Sequence, residues 1–312
     1  MSTYSSYRLL IQLKSQSGTP WQADTLMGHL IWLVAHQEGA GGVKAFLDPF
    51  IKGQPPFVLS DGFPLGLLPR PVGLWTSKSA PDLDSYVKEK SRRKAEFIKF
   101  EQFEALRKNP EADIDPVSSP WIENETLHAA ISRISNTTTG EAGTLFSTDS
   151  FTLNQEFWSE NFPSISVYAY CTKDWGKKVE ELFHELSQIG FGRDKSVGLG
   201  QFKFCSMEPC DFLPGNQDSN GFTSLSTYVP AVDDPTEGTW DVNVKYGKLG
   251  ENAGGGNPFK KPLLQLKPGA VFYTGQNPRP FYGKVVKGLA PGFPEAVQIC
   301  YCLAVPCRIR KA

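Results

Sequence analysis

Apolar positions recur along the chain with two different periods, and each switch of period marks an element. YRLLIQLK (7–14), rich in Leu and Ile, predicts a first strand, and SQSGTPWQ behind it is a turn. ADTLMGHLIWLVAHQEG (23–39) changes to helical spacing, with Leu26, Leu30, Leu33 and Val34 on one face. Asp24 or Thr25 stands where a side-chain oxygen can cap free N–H groups of the first turn, and EGAGG ends the helix. A short helix near 43–50 and a strand at 56–60, PFVLS, follow. DGFPLGLLPRP is broken too often for a helix and reads as strand and turn.

Residues 82–108 carry the densest charge, and KEKSRRK (88–94) holds five basic residues and one acidic. A solvated helix face or loop accounts for this run; a patch for phosphate or an acidic partner is the sharper alternative. TLHAAISRIS (126–135) and GTLFSTDSFTL (143–153) alternate like strands around the polar tip NTTTGEAG (136–143), which predicts a long protruding hairpin. SISVYAYC (164–171) is another strand. WGKKVEELFHELSQIG (175–190) is a helix, since Val179, Leu182, Phe183, Leu186 and Ile189 recur at helical spacing. QFKF (201–204) returns to a strand. The order β–α–β, inserted region, β–α–β is that of a ferredoxin-like sheet with a large insertion. One face of such a sheet carries the helices and the other is free to bind or dock.

After Pro209 the texture changes. CDFLPGNQDSNG (210–221) is linker-like, and short strands with long polar loops follow: FTSLSTYV, WDVNVKYG, PLLQLKPGAVFYT, FYGKVV and VQICYCLAVPCRI. No helical pattern stands out there, so the expectation is a β-rich second domain beyond a boundary near 210–220. A chain of 312 residues accommodates one large domain or two ordinary ones and needs no covalent staples. Net charge is −1, so any nucleic-acid binding has to come from local basic patches. The six cysteines form no C-x-x-C pair and read mostly as small core residues, and none of the four histidines has metal-ligand spacing to another. No metal or cofactor is expected. MSTYSSYRLL lacks a signal-peptide core and no apolar run reaches transmembrane length, which sets the expectation of a reduced, cytoplasmic protein without membrane contact.

The stretch IGFGRDKSVGLGQFKF (189–204) carries the most chemistry. Gly190, Gly192, Gly198 and Gly200 frame Arg193, Asp194, Lys195 and Ser196. It is no Walker A loop, because G-x-x-x-x-G-K-[ST] is not met. It is no dinucleotide fingerprint, because it follows a helix and precedes a strand. Missing Cβ atoms let another backbone approach, and N–H groups turned outward would suit anionic oxygen. Arg193, Lys195 and Lys203 outweigh Asp194. A sugar–phosphate backbone fits all three features; a plain flexible connection is the bland alternative.

A ferredoxin-like unit whose second helix leads into GFGRDKSVGLGQF resembles the RAMP superfamily of CRISPR proteins. WQADTLMGHLIW (21–32), LSDGFPLGLLPRP (59–71), LHAAISRIS (127–135), LFSTD (145–149) and KPGAVF (267–272) are similar to the family of fourth Csm subunits of type III-A effector complexes. The resemblance implies an α+β chain of two tandem ferredoxin-like (RRM/RAMP) domains, 1–209 and 210–312, the first with a hairpin thumb at about 127–151. It implies a non-catalytic subunit of an antiviral ribonucleoprotein that anchors the 5′ tag of the crRNA and caps the filament of backbone RAMP subunits. It would also dock the large polymerase/cyclase-like subunit and meet target RNA only indirectly. The implied RNA contacts are Gly190, Gly192, Arg193, Lys195, Ser196, Gly198 and Gly200 of the loop. Asp24, Thr25 and His29 are expected on the exposed side of the ADTLMGH segment, with Trp21 as a candidate base stacker; a buried Trp is the other reading. His128, Arg133, Asn136 and Thr137 lie on the thumb. Two alternatives stay open: a RAMP endoribonuclease using His29, His36 or His128 as general base, and the equivalent subunit of another type III subtype.

Overall fold

A computed structural model of the chain describes residues 4–74, 82–138, 145–159, 162–210, 218–250 and 257–310. In chain order the elements begin with β1 (Tyr4–Leu13), α1 (Ala23–Ile51), β2 (Phe57–Pro64), β3 (Leu67–Pro69), α2 (Leu83–Lys94), β4 (Phe97–Lys99) and α3 (Phe100–Lys108). The hairpin strands β5 (Trp121–Ala129) and β6 (Leu145–Leu153) follow, then β7 (Trp158–Ser159), β8 (Phe162–Thr172), α4 (Gly176–Ile189) and β9 (Phe202–Pro209). The C-terminal part consists of β10 (Gly221–Ser224), β11 (Gly238–Thr239), β12 (Val242–Lys245), β13 (Leu263–Leu266), β14 (Val271–Tyr273), β15 (Phe281–Lys287) and β16 (Val297–Cys307).

The N-terminal sheet has the order β2–β8–β1–β9, all antiparallel, with β8 inserted between β1 and β2. α1 and α4 bury Leu26, Leu30, Leu33 and Val34, and Val179, Leu182, Phe183 and Leu186, the positions their helical spacing selects. α1 breaks at Gly39, whose φ of +67° and ψ of −163° lie outside the helix, so the two helices expected around EGAGG meet at a kink. Neither Asp24 nor Thr25 caps the first turn. The Ala23 N–H donates to Asp61 Oδ1 of β2 at 2.8 Å, so the cap comes from a neighbouring strand. The Thr227 N–H and hydroxyl donate to the same carboxylate at 2.8 and 2.6 Å. Burial nevertheless pushes the Asp61 carboxyl up to about 6.

The second sheet has the order β11–β14–β10–β16–β15, and no helix occurs after Val197 among the described residues. The C-terminal part is therefore β-rich, without the helices a full second ferredoxin-like unit would carry. β16 is an almost unbroken apolar run buried along its length, packing on α1 and β2. One hydrophobic core spans both parts and joins Leu9, Leu30 and Val167 to Leu225, Ile299 and Leu303. Residues 211–217, inside the expected linker, lie outside the described residues, as do 139–143 of the expected hairpin tip. The basic run 88–94 closes α2. Of the cysteines, Cys171, Cys300, Cys302 and Cys307 are buried and all six are free. No described helix is long and apolar enough to cross a membrane.

Candidate nucleic-acid interface

The glycine loop leaves α4 at Gly190 and reaches β9 at Phe202, with a short 3₁₀ turn at Lys195–Val197. Gly190, Gly192, Gly198 and Gly200 all have positive φ, and so does Asp194 at +58°. Gly200 has φ +67°, and a Cβ there would overlap the Phe191 carbonyl. Gly198 has φ +97° with open space around it. One glycine thus permits the loop to fold on itself, and the other leaves bare backbone at the surface.

The expectation of outward-pointing N–H groups needs correction. The Phe191 N–H donates to Gly200 O at 2.8 Å and the Gly200 N–H to Gln16 O at 2.7 Å. Those of Val197, Gly198 and Leu199 are engaged inside the loop. The Gly192 N–H donates to His29 Nε2 at 2.9 Å, and the Arg193 N–H to Thr19 Oγ1 at 3.1 Å. The glycines close the loop more than they open a nest. What faces outward is the side chains of Arg193, Asp194, Ser196 and Val197 and the Cα of Gly198, with Lys195 half-buried beside them.

Trp21 takes the buried role rather than the base stacker's, as the loop's foundation. It is 3% exposed, stacks on Phe191 at 4.0 Å, and donates its Nε1–H to Ser17 Oγ at 2.9 Å. Phe191, set between two glycines, plugs the loop onto that indole. Asp24 is likewise not on an exposed side. Its carboxylate receives Lys245 Nζ at 2.6 Å, Gln265 Nε2 at 2.9 Å and Gln298 Nε2. Thr25 Oγ1 accepts from the same Lys245 Nζ at 2.6 Å. The start of α1 is therefore a polar clamp on the C-terminal strands, which removes the buried Asp24 from the RNA-facing set and gives the half-buried Thr25 a partner within the chain.

His29 is half-buried, and its Nε2 lone pair faces the Gly192 N–H. Burial, with Lys195 and Lys245 nearby, holds the imidazole at about 4, so it is neutral at physiological pH. It latches the loop to α1. Lys195 Nζ lies 4.3 Å from the centre of the Trp32 ring, which also packs against His36 at 3.8 Å.

The thumb is longer than the expected 127–151, pairing Trp121 with Leu153 through to Ala129 with Leu145. His128 stacks on Phe146 at 5.3 Å and 17°, and its Nε2 meets Thr148 Oγ1 at 2.8 Å. Arg133, Asn136 and Thr137 are exposed beyond β5; Arg133 lies in a turn where a strand was expected, and the other two lie in the expected tip, Asn136 with φ +51°. At the thumb's base the Arg193 guanidinium donates to Asp149 O. The structure thus brings Trp21, His29 and the loop together and ties the loop to the thumb, while Arg133, Asn136 and Thr137 stand at the thumb's far end.

Two groups of solved structures share this architecture from end to end. The crystal structure of a Csm1-Csm4 cassette in complex with cA4 contains a chain matching at TM-score 0.61 and 16% identity, over 98% of this chain and 99% of that one. The Csm3-Csm4 subcomplex of the type III-A CRISPR-Cas interference complex contains another, at TM-score 0.56 and 13% identity, over 96% and 99%. Csm4 is the subunit named in both. The fold is Csm4-like. No protein-family model and no curated protein matches the chain.

Several residues that shape the site of this Csm4-like fold carry no sequence signal of their own. Gln16, Ser17 and Thr19 read only as a turn, yet they hold both the loop and the thumb. Phe146 reads as one strand position among others, and its exposure beside His128 is visible only in three dimensions. Among the described residues no group of three or more His, Cys, Asp or Glu is arranged to hold a metal ion.

Proposed function

We propose that the chain is a non-catalytic RNA-binding subunit of a type III-A CRISPR effector complex, holding the 5′ tag of the crRNA. The observation that carries this reading is the end-to-end likeness to chains from two differently composed assemblies, in which Csm4 is the shared name. A Csm1-like and a Csm3-like subunit are accordingly the proposed protein partners. We read the N-terminal sheet as a ferredoxin-like module (1–209) and the β-rich remainder (210–312) as its helix-poor counterpart.

Two local features support the RNA assignment, and a third suits a protein partner. The loop presents Lys195, Ser196 and the bare Gly198 backbone together, which suits a phosphodiester lying across it. The thumb carries an exposed ring pair, His128 on Phe146, on which an unstacked base can rest. The β12–β13 ribbon exposes Val242, Val244, Tyr246 and Leu264, an apolar face suited to a partner subunit.

The endoribonuclease alternative turns on three histidines. His29 Nε2 faces a backbone donor, His128 Nε2 is paired with Thr148, and His36 Nδ1 lies 3.0 Å from its own helix's Trp32 O. A general base needs a free lone pair within reach of the 2′-OH; the Gly192 N–H occupies the one on His29, while His36 and His128 each keep a second ring nitrogen. Incubating the purified chain with repeat RNA tests the reading. It predicts salt-dependent binding with the RNA left intact; site-specific, metal-independent cleavage lost on replacing one of the three histidines would overturn it.

A further inference from the structure

We infer that Arg193 is a positioning residue: it braces the glycine loop against the outer edge of the thumb, so that the two elements keep one fixed geometry. What that geometry serves rests on the function proposed above. The brace itself rests on contacts within this chain.

The thumb is a two-stranded hairpin, and β6 pairs with β5 along one edge only. Along a strand, alternate residues turn their N–H and C=O groups to the same side. Asp149 and Phe151 therefore share the outer edge of β6. Ser17 occupies that edge at Phe151 with a pair of bonds, Ser17 N–H to Phe151 O at 2.9 Å and Phe151 N–H to Ser17 O at 2.8 Å. Two residues along, the Arg193 guanidinium donates to Asp149 O. A side chain from the glycine loop thus supplies the next rung of the ladder that Ser17 begins.

The other end of Arg193 is equally fixed. Its N–H is held by Thr19 Oγ1 at 3.1 Å, and its Nε lies 3.7 Å from the Asp194 carboxylate. Its side chain runs over Gly18, where an added Cβ would stand 2.7 Å from Arg193 Cγ. Gln16 serves both neighbours, accepting the Gly200 N–H at 2.7 Å and the Ser150 hydroxyl at 2.6 Å. The turn at 15–19 is the common anchor and Arg193 is its reach onto the thumb. Lys195, with its ammonium over the Trp32 ring, is the loop cation left to meet a phosphate.

The test uses the full chain with R193A, R193K and K195A. Amide exchange is followed in peptides spanning 121–129 and 145–153, and binding of a fluorescein-labelled single-stranded repeat RNA is followed across a salt series. The brace predicts that R193A and R193K both speed thumb exchange by roughly three- to tenfold, the factor one lost hydrogen bond is worth, while K195A leaves it unchanged. In the RNA titration K195A lowers the slope of log Kobs against log salt by about 0.7, one phosphate's share for a single strand. R193A weakens binding with the slope preserved. Wild-type thumb exchange in both Arg193 variants would overturn the brace. So would R193K binding like wild type while R193A flattens the slope as K195A does, since charge alone would then suffice. If the wild-type chain binds no RNA, the proposed function falls, and the exchange comparison still decides the brace.

Discussion

At Gly200 a single missing atom decides whether the loop can close. Replacing it with Ala forces a Cβ into the Phe191 carbonyl at a φ of +67°, whereas at Gly198 the same change adds only backbone strain in open space. G200A is expected to cost about 2–4 kcal/mol and G198A about 1 kcal/mol, read from denaturant midpoints. His29 acts through its protonation state. Its folded value of about 4 lies below the unfolded value of 6.5. Between those values the unfolded chain binds a proton that the folded chain does not. Stability is therefore fully present above pH 6.5 and falls as pH drops toward 4. This one group accounts for about 2–3 kcal/mol between pH 7.5 and pH 4.5. H29Q keeps an acceptor for Gly192 and cannot titrate, so its stability over that range should be flatter than wild type by that amount. Neither role could be read from sequence, because Gly192 lies 163 residues from His29 and nothing local signals the pairing. The density of glycines was legible; whether their N–H groups point out or in depends on Gln16, Thr19 and His29.

Among the elements, those with one face on a core were the most legible. α4 shows its buried face in its spacing, and β16 shows full burial in its apolar run. The thumb was read short because residues 121–125, WIENE, lack the alternation that burial of one face imposes, and most of the hairpin stands away from the core. The start of α1 misled for the opposite reason: ADT looks like a polar cap, but its charge is matched by Lys245 on β12. Asp24 is fully buried there and Lys245 partly buried. D24N should destabilise the chain by about 1–3 kcal/mol by removing the charge that matches a partly buried cation, and adding K245M should recover much of that loss in a double-mutant cycle. The hairpin tip answers to a different measurement. F146A removes the ring under His128 from an exposed position. It should weaken binding of single-stranded RNA about five- to fiftyfold, the range of one lost base stack, with the thermal midpoint unchanged.

For the whole molecule, net charge of −1 conceals a local organisation in which Lys195 and Lys245 flank one imidazole beneath the loop. The two halves share a core, a second cluster around Phe222, Leu266 and Phe272 packs the C-terminal strands, and the thumb stands out from both. Polar clamps at Asp24 and Asp61 reinforce that union from β12 to β16. A body of this kind suits a terminal subunit that holds one end of an RNA while presenting separate faces to protein neighbours. The central claim of the proposed function is that the chain holds RNA by the common 5′ end of the guides. The most direct measurement is to purify the chain together with its natural neighbours and sequence the RNA that accompanies it. The account predicts that reads share one repeat-derived fragment at their 5′ ends; an RNA-free assembly, or RNA with unrelated 5′ ends, would contradict it.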